Sequence, residues 1–196
     1  MGKTVSKRNR GRKETPKKGP FISEQRKREI LGLIMMAFSL LITLAILTYS
    51  SIDEPLARRF SWDSLFAPGN DRAANALGPT GAAIAYLLVP NFLGYFSLLL
   101  PFSVFGWGYV WLRHRPKEYL PLVSGLMGGV ALQLASLWGW LSIVTESNML
   151  QWSGSWGLGV SGWLHQLLGA FGSFVILFLI VAILSMPMRL SILLRL

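Results

Sequence analysis

Cysteine is absent from the 196 residues, which removes disulfides, thiol redox chemistry, Cys-ligated zinc and iron–sulfur clusters from the functions open to the chain. Charge is scarce: Asp, Glu, Lys and Arg make up 14% of the sequence, against about 25% in an average soluble domain. Acidic residues are the scarcer sign, 9 against 19 basic ones. Histidine occurs twice, as His114 and His165. No GxxxxGK[ST] loop, HExxH or GxSxG motif occurs, and no carboxylate pair falls in an apolar segment, so nothing here reads as an enzyme. With 52% apolar residues, the composition excludes a soluble globular domain and describes an integral membrane protein.

The stretch from residue 30 to 49, ILGLIMMAFSLLITLAILTY, carries no charge over twenty positions. At roughly 1.5 Å per residue a helix of that length matches the ~30 Å hydrocarbon core of a bilayer. Arg26, Lys27 and Arg28 stop at its start, and Asp53, Glu54 and Pro55 follow its end. Its apolar run exceeds a signal-peptide core and no small-x-small cleavage site follows Tyr49, so it reads as a retained signal anchor. Before it, residues 1–22 are rich in Lys, Arg, Gly and Pro with almost no large apolar side chain before Phe21. A disordered basic tail is expected there, with Ser23 as an N-cap for the first helix.

Three further spans follow. The apolar stretch 78–112 is too long for one span and too short for two, and Pro90 with Asn91 divides it, since a proline removes a helix hydrogen bond and crowds the preceding turn. A short helix at about 80–89 and a span at about 92–112 result. The third span is 120–144. The last stretch divides likewise into a short helix at about 159–168 and a span at about 169–186. Outer loops at 50–79 and 145–158 and a terminal stub at 189–196 complete an all-α, polytopic membrane protein in which 23–188 is the membrane domain.

Charge orients it. Segments 1–29, 113–119 and 187–196 hold 16 Lys and Arg against 4 Asp and Glu, whereas 50–79 and 145–168 hold 3 against 5. Positive charge concentrates on the cytoplasmic side of membrane proteins, so both termini are expected in the cytoplasm and the two short helices on the outer face. Trp107 and Trp111 fall at the inner end of the second span, Trp138 and Trp140 near the outer end of the third. A weak repeat accompanies this: Gly81, Gly94 and Phe96 recur 78 positions on as Gly159, Gly172 and Phe174. Duplication and shared topology are both open explanations.

No span contains an ionisable side chain, although ion pathways and proton relays depend on them. The polar groups at mid-span are Ser39, Thr43, Ser97, Ser103, Gln133 and Ser136. Helix–helix hydrogen bonds of about 0.6–2 kcal/mol account for them more simply than a substrate site. Gln133 is the discriminating residue, since a polar cavity around it would favour transport. Gly125, Gly129, Ala131, Ala135 and Gly139 permit close helix approach, within the bundle or between subunits. His114 and His165 fall on opposite sides of the membrane and cannot share a metal. The basic tail suits anionic lipid, an acidic partner or DNA, with topology and lipid contact the simplest reading.

At this point the residues resemble a family. LTYSSIDEP after the first span, NALGPTGAAIAYLL (Asn75, Gly78, Pro79, Gly81, Ala82), LGYFSLLLP (Gly94, Tyr95, Pro101), WLRHRPKEY and the Gly-led WGLGVSGWLHQLLGAFGS are similar to the N-terminal four-transmembrane domain of the FtsK/SpoIIIE DNA translocases, over roughly residues 25–187. The resemblance implies a bacterial inner-membrane anchor at the division septum that helps assemble the division machinery, contacts other division proteins and multimerises as a hexamer. It also implies a linker and an ATP- and Mg-dependent motor that engages DNA; no such motifs lie in these 196 residues, so the chain is expected to be a membrane-domain fragment or a short relative. No catalytic, cofactor or metal residue is therefore expected. Outer contacts are expected in the Asp53–Asn75 loop and in Thr145–Trp163. A small-molecule or lipid transporter built on the repeat is the alternative.

Overall fold

In the computed structural model the described residues are 23–59, 61 and 73–193. The expected basic tail, the middle of the first outer loop and the last three residues lie outside them. All regular structure among the described residues is helical: α1 Glu24–Leu47, α2 Glu54–Arg58, α3 Gly78–Leu88, α4 Leu99–Leu112, α5 Leu120–Val144 and α6 Leu150–Leu193. Four stretches are long and apolar enough to cross a membrane, Glu24–Leu47, Gly78–Leu112, Leu120–Val144 and Leu150–Leu184. The chain is an all-α, multi-pass membrane protein.

Two of these stretches are broken, by different local chemistry. In the first, α3 gives way to a π-turn, Val89–Leu93, and a 3-10 turn, Gly94–Leu98, before α4 starts at Leu99. Regular helix thus begins seven residues later than the expected start at Phe92. Pro90 has no N–H to give the Tyr86 carbonyl, and the Asn91 side-chain amide takes its place at 2.9 Å. Ser97 donates to the Leu88 carbonyl at 2.5 Å. These bonds are needed because hydrocarbon offers no water to a freed backbone group. The second stretch breaks at Gly154 (φ 61°, ψ 177°) and Gly169 (φ 69°, ψ −177°), a region essentially closed to residues with a side chain. It comprises a short segment, 155–168, and a span beginning at 170. The short helix starts at 155, one turn before the expected 159, because Gly154 and not Gly159 turns the chain.

The repeat is real in geometry but sits at a different register. The two positive-φ glycines of the first half, Gly78 and Gly94, correspond to Gly154 and Gly169, 76 and 75 positions later. The fully buried Ser97 and Ser173 are again 76 apart, and both donate to carbonyls beside a break. Identity of residue type pointed to Gly159 and Gly172, whose backbones are ordinary helix. Conformation selects other glycines.

The spans form an open row rather than a closed bundle. α1 packs on α4, α4 on α5, and α5 on α6, with no substantial α1–α5 or α1–α6 contact. Close backbone approach at Gly32 and Gly108 joins the first pair: a β-carbon on Gly32 would lie 2.6 Å from the Gly108 carbonyl oxygen. Gly139 and Gly157 do the same in the second, at 2.3 Å from the Gly157 oxygen. The two pairs are joined chiefly where the unwound 89–98 region meets the start of α6. A β-carbon on Gly94 would lie 2.1 Å from the Trp152 carbonyl oxygen, and one on Gly154 2.1 Å from that of Phe92. Neither position admits a side chain.

Gly154→Ala therefore adds forbidden backbone torsion to a backbone clash, and a loss of at least ~3 kcal/mol is expected. Gly125→Ala, whose added carbon meets nothing within 4 Å, should stay within ~1 kcal/mol of the parent. Unfolding midpoints of the two variants in one detergent check this, and equal midpoints would refute the crossing as a structural keystone.

Candidate functional site

The face bearing residues 48–59, 73–77 and 145–149, here the loop face, is where the described residues concentrate their specific contacts. Asp53 is 5% exposed, and its carboxylate receives two backbone N–H groups at 2.8 Å, Ala74 on Oδ1 and Asn75 on Oδ2. Asn75, equally buried, turns its amide onto the Ala45 carbonyl at 2.8 Å and that of Thr48 at 3.2 Å. Its own Oδ1 accepts from Leu77 N–H at 3.1 Å. The last carbonyls of a helix have no partner within it; at the end of α1, Leu44 and Ile46 are met by the Thr48 and Tyr49 N–H groups and Ala45 by the Asn75 amide. The Asp53–Asn75 pair thus closes the loop at its base and caps α1. These two residues bound the loop in which outer contacts are expected; they themselves are committed to the fold, and the middle of that loop lies outside the described residues.

Beside the clamp, Tyr49 donates to Glu54 at 2.7 Å, and the Arg58 guanidinium lies over the Tyr86 ring at 5.6 Å from its centroid. Aromatic rings continue across the face: Tyr49 meets Tyr95 at 6.3 Å, Tyr95 meets Trp152 at 5.2 Å, and Trp152 meets Trp138 at 6.1 Å, all edge-on. Edge-on pairs are favourable beyond their buried area by roughly 0.5–1.5 kcal/mol. The chain of rings runs from the end of α1 to α5 and overlies the Gly94–Gly154 crossing. Thr145–Trp163, the other expected contact segment, divides between this cluster and an outward side on which Trp156 and Trp163 stand exposed.

The polar side chains of the spans serve packing. Ser39 donates to the Pro101 carbonyl at 2.5 Å and Gln133 to that of Leu177 at 2.6 Å, each tethering a span to the one that follows the break. Thr43 and Ser136 donate to carbonyls one turn back, and Ser103 to the Met127 sulfur. Gln133 is 7% exposed, and the amide that would have to face a transported ligand is committed to Leu177. Ala131, Ala135, Gly139 and Gly129 line contacts inside the molecule, whereas Gly125 opens onto space. Ser153, Ser161 and Ser173, all fully buried, were not singled out from sequence; Ser161 bonds the Ser136 carbonyl across the α5–α6 contact.

At the opposite face, His114 adopts φ 50° at the end of α4, where Arg115 N–H reaches back to the Val110 carbonyl. The imidazole Nε2 lies 2.9 Å from Glu29 Oε1, and Gln25 also reaches Glu29, at 3.2 Å. This ties the start of α1 to the 113–119 turn. The hydrogen bond from His114, then that from Gln25, holds the Glu29 carboxyl below its ordinary value of 4.5. His165 lies in the 155–168 segment, with its Nδ1 buried and unpaired. Among the described residues no group of three His, Cys, Asp or Glu could hold a metal ion.

The family described as the 4TM region of DNA translocase FtsK/SpoIIIE matches residues 24–195, which takes in all four spans, both breaks and the loop-face clamp. No curated protein and no solved structure matches the chain.

Asp53→Ala would leave the buried Asn75 N–H without an acceptor, at about 1–3 kcal/mol, and remove the acceptor of the part-buried Ala74 N–H as well. Accelerated hydrogen exchange at Ala74 and Asn75 is the expected signature, and unchanged exchange there would refute the clamp. Glu29 gives a pH prediction. Its folded-state value is depressed, so its contribution is present above pH 4.5 and is lost as pH falls through the lower folded value. Unfolding midpoints of the parent should decline across that acidic window, and Glu29→Gln should flatten the decline.

Proposed function

We propose that this chain, which belongs to the family of the 4TM region of DNA translocase FtsK/SpoIIIE, is the membrane anchor of a DNA translocase at the bacterial division septum. The family is a membrane region rather than a motor, and the chain is a multi-pass membrane protein. The observation that carries the reading is the extent of the match, which covers 24–195 and so the whole membrane domain rather than one apolar helix.

In this reading the domain lies in the bacterial cytoplasmic membrane with both ends in the cytoplasm, which the positive charge of 1–29 and 113–119 supports. It recruits division proteins through its loop face, contributes to assembling the division machinery, and couples division to chromosome segregation. It works as a homo-oligomer, a hexamer by the family resemblance. The basic tail lies on anionic lipid. DNA, ATP and Mg are handled by a motor outside these residues, and no catalytic role falls to this chain. A small-molecule or lipid transporter has no observation in its favour, since the Gln133 amide is bonded to a neighbouring helix.

Expression of these 196 residues as a fluorescent fusion in dividing bacteria depleted of their own septal translocase tests the proposal. Midcell enrichment with restored division is the expected result. Uniform membrane fluorescence without rescue would sink the septal role.

A further inference from the structure

The two short helices are equivalent in backbone geometry but not in surroundings. α3 is packed against both α1 and α2, and Arg58 of α2 covers Tyr86. The 155–168 segment is reached from α5 through ten residues, 145–154, whose helical turn before Gly154 is packed at the Gly94 crossing, so it does not serve as a counterpart of α2. One side is held by protein: Gly157 against Ala135 and Gly139, Ser161 on the Ser136 carbonyl, Gly162 beside Ile143. The other side carries Trp156, Gly159, Val160 and Trp163, spaced i, i+3, i+4, i+7 as one helical stripe. These residues line an open apolar furrow of about 500 Å³, inside the ~300–1,000 Å³ range of ligand sites.

The position of the segment says what lies against that stripe. Its contacts on α5 stay within 135–143, whereas the following span runs down α5 from Trp140 (to the Ala170 carbonyl) through Gln133 to Gly129. The segment therefore crosses α5 near its loop-face end and does not descend along it. Leu167, 60% exposed, extends the stripe to the break, and beyond it Phe171, 81% exposed, and Phe178 stand on the outward surface of the last span. No Asp, Glu, Lys or Arg occurs between Ser147 and Pro187. Tryptophan favours the layer between headgroups and acyl chains, where its ring is apolar and its N–H is wet. The Trp156 ring is pre-set by an edge contact with Phe92 at 6.4 Å, and the neighbouring Ser155 hydroxyl is already bonded to the Asn91 carbonyl.

We propose that the 155–168 segment lies in the plane of the interfacial layer and seats one phospholipid acyl chain in the furrow between Trp156 and Trp163, with Gly159 as its floor. The bilayer does for this helix what α2 does for α3.

The test uses the full chain in nanodiscs containing phospholipids brominated either near the headgroup or at mid-chain. Difference spectra between the parent and Trp156→Phe/Trp163→Phe isolate the two indoles. Stronger quenching of that component by the shallow bromines is expected. Its quenching by aqueous iodide alone, or preferentially by mid-chain bromines, would overturn the proposal. In parallel, Gly159→Leu fills the furrow at a site where an added β-carbon meets nothing within 4 Å. Native mass spectrometry should show about one fewer retained phospholipid per chain, with the number of chains unchanged. If lipid is retained and the number of chains falls, the furrow receives a second copy of the protein and the lipid assignment is wrong.

Discussion

The structure depends on two lengths of backbone passing each other at Gly94 and Gly154 with no room for a β-carbon on either. Without that crossing the molecule is two helix pairs, α1 with α4 and α5 with the last span, that meet only along α4 and α5. The crossing requires both helices to be broken at the same level, and a broken helix frees carbonyls that, where buried, need another donor. The positions of the polar side chains follow from this. Asn91 replaces the hydrogen bond that Pro90 cannot make, and Ser97, Ser155 and Ser173 each donate to a carbonyl at or beside a break. In a domain without charge inside its spans, serine and asparagine are the cheapest donors that fit. The aromatic rings from Tyr49 to Trp138 then seal the crossing at the loop face.

An open row of spans has consequences for energetics. Lipid tails are as apolar as the helices, so association between helices rests on close packing and hydrogen bonds rather than on water exclusion. The Gly32–Gly108 and Gly139–Gly157 approaches supply the packing, and Ser39 and Gln133 supply tethers at equivalent places, to acceptors 76 residues apart. The last span touches protein on one side only, with 11% of its most apolar window buried. Its remaining surface is available to lipid or to another subunit, and nothing in its own hairpin would have to open for either.

Fold class was legible in the sequence because spans announce themselves by length and absence of charge, and the family was legible because its glycine, proline and tyrosine positions are spaced through the whole domain. The repeat was legible only as a suspicion. Twenty glycines occur, and sequence does not say which adopt positive φ, as four do among the described residues, so matching by residue type points to Gly159 and Gly172 in place of Gly154 and Gly169. The structural part played by Asp53 and Asn75 was not legible for a related reason. A polar residue in an outer loop looks exposed, and only the path of the chain shows that a carboxylate is folded over two N–H groups and an amide over the end of α1. Pro90 did signal a stop to regular helix, but the compensation by its neighbour Asn91 depends on a π-turn that composition does not encode.

The distribution of polar groups also bears on what such a domain is for. A transporter keeps polar or ionisable groups uncommitted along a path and lets broken helices expose backbone to the cargo. Here the breaks face each other at van der Waals contact, and the side chains near them are bonded to the carbonyls that the breaks set free. Breaking a helix serves in this chain to lock two hairpins together and to lay a short helix across each, one under α2 and one outward. A rigid joint with a specific loop face is what an anchor requires: a fixed geometry at the membrane, presented to partners on one side and to whatever the translocase carries on the other. The proposed anchoring role and the interfacial placement of the 155–168 segment are thus two consequences of the same joint.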